Sequence, residues 1–257
     1  MSWHRETLTA LDRTGYIVLE AIHYGGVAPR STFARPSTFV CIDSNTYWVK
    51  NTAQQGLVAE LIAGRLGDKV GASPAARIIR VSREALPPTG EASHLEGLVV
   101  GTQDIPGSVN ARDLEPFIRD STFHPGLVDP ISRARVVAFQ TWLGVGDAQV
   151  LLRLTDGAVF SIDHGDCFGT VSTQSDPAIT VTSIPGVPNL VGKDASSVEA
   201  AVRRIESITD RDILEAVTRI PAGEPWRSPV DRRAEIGHWL ADRRARMREV
   251  MEQWLRT

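Results

Sequence analysis

Residues 142–169, WLGVGDAQVLLRLTDGAVFSIDHGDCFG, constrain this chain more than any other stretch. Residues 150–154 form an apolar run, Thr155-Asp156-Gly157 is turn chemistry, and 158–162 is a second apolar run. Two short runs joined by such a turn predict a β-hairpin. A tight ribbon brings its two open ends together. One end carries Asp147 and Gln149, and the other carries Asp163, His164 and Asp166. Hard oxygen ligands gathered at one point suit a magnesium-dependent phosphoryl transfer. The same residues also suit ordinary loops, since Asp and Gly are common in turns.

A second hairpin is predicted earlier. STFVCI at 37–42 is β-branched and aromatic, Asp43-Ser44-Asn45 is a turn, and TYWVK at 46–50 returns. Lys50 closes that hairpin. A helix is expected over 54–66, where Leu57, Leu61 and Ile62 recur at helical spacing, with Gly67 and Gly71 as stops. Glu60 lies on it. A lysine at a strand end beside a helical glutamate can aim an ammonium at nucleotide phosphates, with the acid holding the amine in place. It can equally be a surface lysine beside a solvated acid. The loop at 25–35, GGVAPRSTFAR, offers Ser31 and Thr32 hydroxyls and the charges of Arg30 and Arg35. It could cover phosphates or simply connect strands. No GxxxxGK[ST] pattern occurs.

Asp147, after Gly144-Val145-Gly146, reads as the group accepting a proton from an acceptor hydroxyl. Gln149 offers an amide oxygen to a cation, and Asp163 reads as the main magnesium ligand. His164 reads as a structural ring. The remaining histidines, His4, His23, His94, His124 and His238, are scattered without metal spacing, and no GxSxG elbow is present.

Elsewhere, strands are expected over 16–24, 75–81 and 95–102. Residues 104–111 (DIPGSVNA) read as free of regular structure, which places a boundary near residue 106. Helices follow over 130–143, 196–207, 210–219 and 231–255. The last is Arg-rich, but its interleaved acids make it a solvated face rather than a nucleic-acid surface. A net charge of −3 adds no attraction for polyanions. The two cysteines, Cys41 and Cys167, suggest neither a disulfide framework nor a zinc site. A charged N-terminus and the lack of a long apolar run predict a cytoplasmic chain with no membrane partner.

Taken in order, TYWVK, NTAQQGLVAELIAGRLG, LVVGTQDIPG, FQTWLGVGD and VFSIDHGDCFG resemble the HipA-like kinase domain family, as does an Arg-rich helix after a Glu-Pro-Trp stretch. The resemblance spans about residues 20–255. It implies an α+β, two-lobed protein-kinase-like fold with a catalytic β-hairpin. Residues 1–105 would be a β-rich N-lobe, and 106–257 a mainly helical C-lobe. It implies ATP and Mg2+ as cofactors and a protein Ser/Thr hydroxyl, or a small molecule, as phosphate acceptor. By resemblance Lys50 grips phosphate with Glu60 as partner, Ser31 belongs to the phosphate loop, and Gln103, Asp104 and Ile105 form the adenine hinge. Asp163 binds the metal within an Asp-His-Gly motif in place of Asp-Phe-Gly. The family's Asp-Arg and later Asn are replaced by Asp147-Ala148-Gln149. That implies a shortened catalytic loop and leaves open a nucleotide-binding module without phosphotransfer.

Overall fold

A computed structural model describes residues 2–11, 15–27, 36–50, 54–90, 92–113, 128–168, 179, 181–182, 194–223 and 226–256. Five strands close a barrel: β1 (Val18–Val27), β2 (Ser37–Cys41), β3 (Thr46–Val49), β4 (Ala76–Val81) and β5 (Gly97–Gln103). Their order is β1-β2-β3-β5-β4, closed by a parallel pairing of β1 with β4. Alternation decides which side chains fill it. Phe39, Cys41, Tyr47, Val49, Ile79 and Val81 point inward and are buried. The β2–β3 turn forms as expected: Ser44 adopts φ 64° and Asp43 Oδ1 accepts from Asn45 N at 3.1 Å.

Helix α2 (Gln54–Val70) covers β4 and β5 and runs one turn past the expected end. Gly67 is a packing residue and not a stop. A Cβ there would meet Ser73 Cβ at 2.4 Å and Phe139 Cζ at 2.9 Å. The helix ends instead at Gly71, whose φ is +69°.

A separate three-stranded sheet has the order β6-β7-β8, with β6 at Ser108–Asn110, β7 at Gln149–Arg153 and β8 at Val159–Ile162. The β7–β8 hairpin matches the sequence expectation. Strand β6 falls where no regular structure was expected, because three residues are too few to show alternation. It pairs with β7 through Asn110↔Leu151.

Helix α3 (Pro130–Leu143) carries both of its signals in the sequence. Asp129 caps it by accepting from Ile131 N and Ser132 N, and Gly144 ends it at φ 63°. Helices α4 (Ala195–Glu206), α5 (Asp210–Thr218) and α6 (Val230–Arg256) complete the second half within a residue of expectation. Buried Arg243 ties α6 to α3 by donating to the carbonyls of Trp142 and Thr141 at 2.8 and 2.6 Å. These carbonyls lie in the last turn of α3, where no further helical amide reaches them, and Thr141 O accepts from Gly144 N as well. An additional helix, α1 (Trp3–Leu11), packs on α5 and α6, where Trp3 lies against Gly237. The main core joins α1 to α6 through Leu61, Ile62, Leu66, Phe139, Trp142 and Leu240.

Candidate functional site

Lys50 follows β3, Glu60 sits on α2, Gln149 opens β7 and Asp163 follows β8. The structure gathers the four. Lys50 Nζ lies 2.8 Å from Asp163 Oδ1. Gln149 Nε2 donates to Asp163 Oδ2 at 2.8 Å. Register explains the second contact, because Gln149 faces Ile162 across the hairpin and the next residue is Asp163. Glu60 accepts from the backbone N–H of His164. The sequence pairs Glu60 with Lys50; in the structure the Lys50 ammonium is bonded to Asp163, and its charge acts on the Glu60 carboxyl.

Asp163 adopts φ 61°. For a residue with a Cβ this left-handed conformation costs about 1–2 kcal/mol, so its neighbours must hold it there. The turn that follows is closed by Cys167 N donating to His164 O at 3.0 Å. Phe168 packs edge-on against Trp239, and its carbonyl accepts from Arg232.

Electrostatics separate these groups. Burial pushes the Glu60 carboxyl up to about 7. Lys50 opposes the shift, Asp163 adds to it, and the His164 hydrogen bond opposes it. Burial pulls the His164 imidazole down to about 4, which leaves the ring neutral at pH 7 as a structural ring should be. Burial also raises both thiols, Cys41 to about 12 and Cys167 higher, so neither is a nucleophile.

Asp147 stands apart. Its side chain is 58% exposed, and its Oδ1 lies 2.5 Å from Arg112 Nη2. Arg112 comes from the 3-10 turn Ala111–Asp113 after β6, which is oriented by Asn110 Oδ1 accepting from Arg112 N. Nothing in the sequence marked Arg112, because its route to Asp147 depends on the unforeseen β6.

In the expected hinge, Gln103 N donates to Ala75 O and Asp104 N to Thr46 O. Ile105 N–H has no hydrogen-bond partner among the described residues. The Asp104 carboxylate is held by Trp48 Nε1 at 2.6 Å. Ser31, with Arg30, Thr32 and Arg35, lies outside the described residues.

The donor set suits one kind of metal. Asp163 and, with its amide rotated, Gln149 supply two oxygens. Magnesium binds through one or two protein oxygens and completes its shell from phosphates and water. A cage made wholly of protein is absent: among the described residues no group of three His, Cys, Asp or Glu gathers.

No protein-family model matches the sequence, and no curated protein matches it. Among solved structures the chain is similar to the proinflammatory kinase CtkA of Helicobacter pylori. The TM-score is 0.51 at 11% identity, covering 93% of this chain and 98% of that one. It is also similar to a Golgi casein kinase, with TM-score 0.40 and 12% identity over 98% and 77% of the two chains. The same kinase with Mn/ADP bound gives 0.41 and 13% over 97% and 75%. The likeness to CtkA shows a kinase-like α+β fold. No described helix is long and apolar enough to cross a membrane.

Proposed function

We propose that this chain is an ATP- and Mg2+-dependent phosphotransferase of the HipA-like kind, acting on a Ser or Thr hydroxyl of a protein in the cytoplasm. Residues 1–105 and 106–257 are its two lobes. The observation that carries the reading is the 2.8 Å pair of Lys50 with Asp163, brought together from two hairpins. An ammonium beside a carboxylate at the mouth of two hairpins is the charge pattern that phosphoryl transfer uses: the cation for phosphate, the anion for metal.

The residues divide the task. Lys50 binds phosphate oxygens. Asp163 and Gln149 hold Mg2+, which when bound neutralises charge on the transferring phosphoryl group. Glu60 fixes the His164 amide, and so the backbone beside Asp163. Ile105 N–H orients the adenine, with Gln103 and Asp104 contributing their carbonyls, and Ser31 covers the phosphates. Asp147 takes the hydroxyl proton. Catalysis is then chiefly positioning and charge compensation.

One observation favours a second reading, a nucleotide-binding module without transfer: the Asp147 carboxylate is engaged by Arg112. Incubation with γ-labelled ATP, Mg2+ and mixed protein acceptors separates the two. Label on protein, lost in Asp163→Asn, supports the enzyme. Nucleotide-dependent thermal stabilisation without label supports the module. Neither effect removes both.

A further inference from the structure

Behind the site lies a buried polar chain that the proposed chemistry does not use. Gln140 on α3 is fully buried. Its Nε2 lies 3.3 Å from Gln149 O and 2.9 Å from Ser161 Oγ. The first partner is a carbonyl, which only accepts, so the atom facing it is the amide nitrogen. One amide group thereby bridges β7 at the residue that touches Asp163 and β8 two residues before Asp163. Ser161 is also fully buried, and its Oγ lies 2.8 Å from His164 Nε2. The tautomer that gives this buried hydroxyl proton an acceptor has His164 Nε2 bare and the ring proton on Nδ1, on the side of Glu60 Oε2 at 3.8 Å. The ring is braced by the edge of Phe139 at 5.7 Å between centroids. In that tautomer every donor in the chain points the same way: Gln140 to Ser161, Ser161 to His164, His164 toward Glu60.

We propose that Gln140, Ser161 and His164 form a clamp that holds Asp163 in its left-handed conformation and Gln149 against it, making all three positioning residues for the metal-nucleotide site. This rests on the reading of the site given above. It also accounts for a histidine in the Asp-His-Gly motif. A phenylalanine there would fill the space but leave the buried Ser161 hydroxyl without its acceptor. Among the described residues the buried Gln140 carbonyl oxygen has no partner, so the structural value of this amide lies in what its nitrogen does.

The test is calorimetric titration of the full chain with ADP, with and without Mg2+, alongside melting temperatures. The parent should bind ADP more tightly with Mg2+. In Ser161→Ala, Gln140→Leu and His164→Phe, the magnesium-dependent gain should fall about tenfold or more while metal-free ADP affinity stays within about twofold, as expected for residues that orient metal ligands. His164→Gln, which keeps an acceptor near the Nε2 position, should recover most of the gain. A purely structural role would lower melting temperature without changing the ratio of the two affinities. Ser161→Ala removes a single oxygen and carries the test if Gln140→Leu does not fold. Without any ligand, imidazole nitrogen shifts should show His164 protonated on Nδ1 in the parent, and a loss of that preference in Ser161→Ala. Variants with the parent's magnesium-dependent gain overturn the clamp alone. A parent that binds no ADP in either condition overturns the functional reading, and the clamp with it.

Discussion

Replacing Glu60 by glutamine removes one of two buried titrations that oppose each other. The Glu60 carboxyl ionises at about 7 in the folded chain against an ordinary 4.5. Folding therefore favours its protonated form. The stability this confers is fully present below pH 4.5 and is lost as pH rises through about 7. The His164 imidazole ionises at about 4 against an ordinary 6.5. Folding favours its neutral form, so its contribution is fully present above pH 6.5 and is lost as pH falls through about 4. Each gap corresponds to about 3 kcal/mol, at about 1.4 kcal/mol per pH unit within its window. In the parent the two slopes have opposite signs and nearly cancel over their shared window. Glu60→Gln unmasks the histidine. Its stability relative to the parent should climb by about 3 kcal/mol between pH 4.5 and 7. His164→Gln should do the reverse between pH 4 and 6.5. The assay is denaturant unfolding at a series of pH values, read as the difference between variant and parent so that other groups drop out. A Glu60→Gln difference independent of pH would show that the carboxyl ionises normally and is not held in a dry site. The burial argument for the site's floor would then fail.

Lys50→Met separates structural from functional value. The Lys50–Asp163 pair is about one-third exposed on both sides, so its loss should cost about 0.5 kcal/mol, roughly 1–2 °C of melting temperature. Binding of Mg2+-ADP, which loses a charge-assisted contact, should weaken by about tenfold or more; equal affinity would remove Lys50 from the site. Arg112→Gln frees the Asp147 carboxylate and should raise phosphate transfer about two- to fivefold, the energy of an exposed pair. A large fall in transfer would show instead that Arg112 itself meets the phosphoryl group. Gly64→Ala puts a Cβ 2.3 Å from Ala76 Cβ and should destabilise by about 1–3 kcal/mol in denaturant unfolding, despite alanine's better helix propensity. A variant as stable as the parent would mean that α2 does not press on β4 as described.

Local signals carried the elements that bring Lys50 and Asp163 together. Both hairpins announce themselves by apolar runs around a turn, and both helix signals of α3 are single residues, Asp129 and Gly144. What stayed hidden depends on contacts across the chain. Gln140 looks like any polar residue late in a helix, because its partners lie on strands 9 and 21 residues away. Arg112 reaches Asp147 through a three-residue strand too short for alternation to reveal. Gly67 reads as a helix stop until Ser73 and Phe139 close over it. Glu60 reads as the partner of the strand-end Lys50, and the backbone amide of His164 that it also accepts from is a contact no pattern of side chains encodes. Helix α1 shows one buried tryptophan and one buried threonine among charges, too little periodicity to predict a face against α6.

The central claim, that residues from both hairpins surround one metal-bound nucleotide, is tested most directly by titrating the isotopically labelled chain with Mn2+-ADP and following amide signals by NMR. Paramagnetic broadening should erase Lys50, Gln149 and Asp163 first and leave residues near Glu252, at the far end of α6, sharp. Broadening centred elsewhere, or none at concentrations that saturate the protein with ADP, would contradict it.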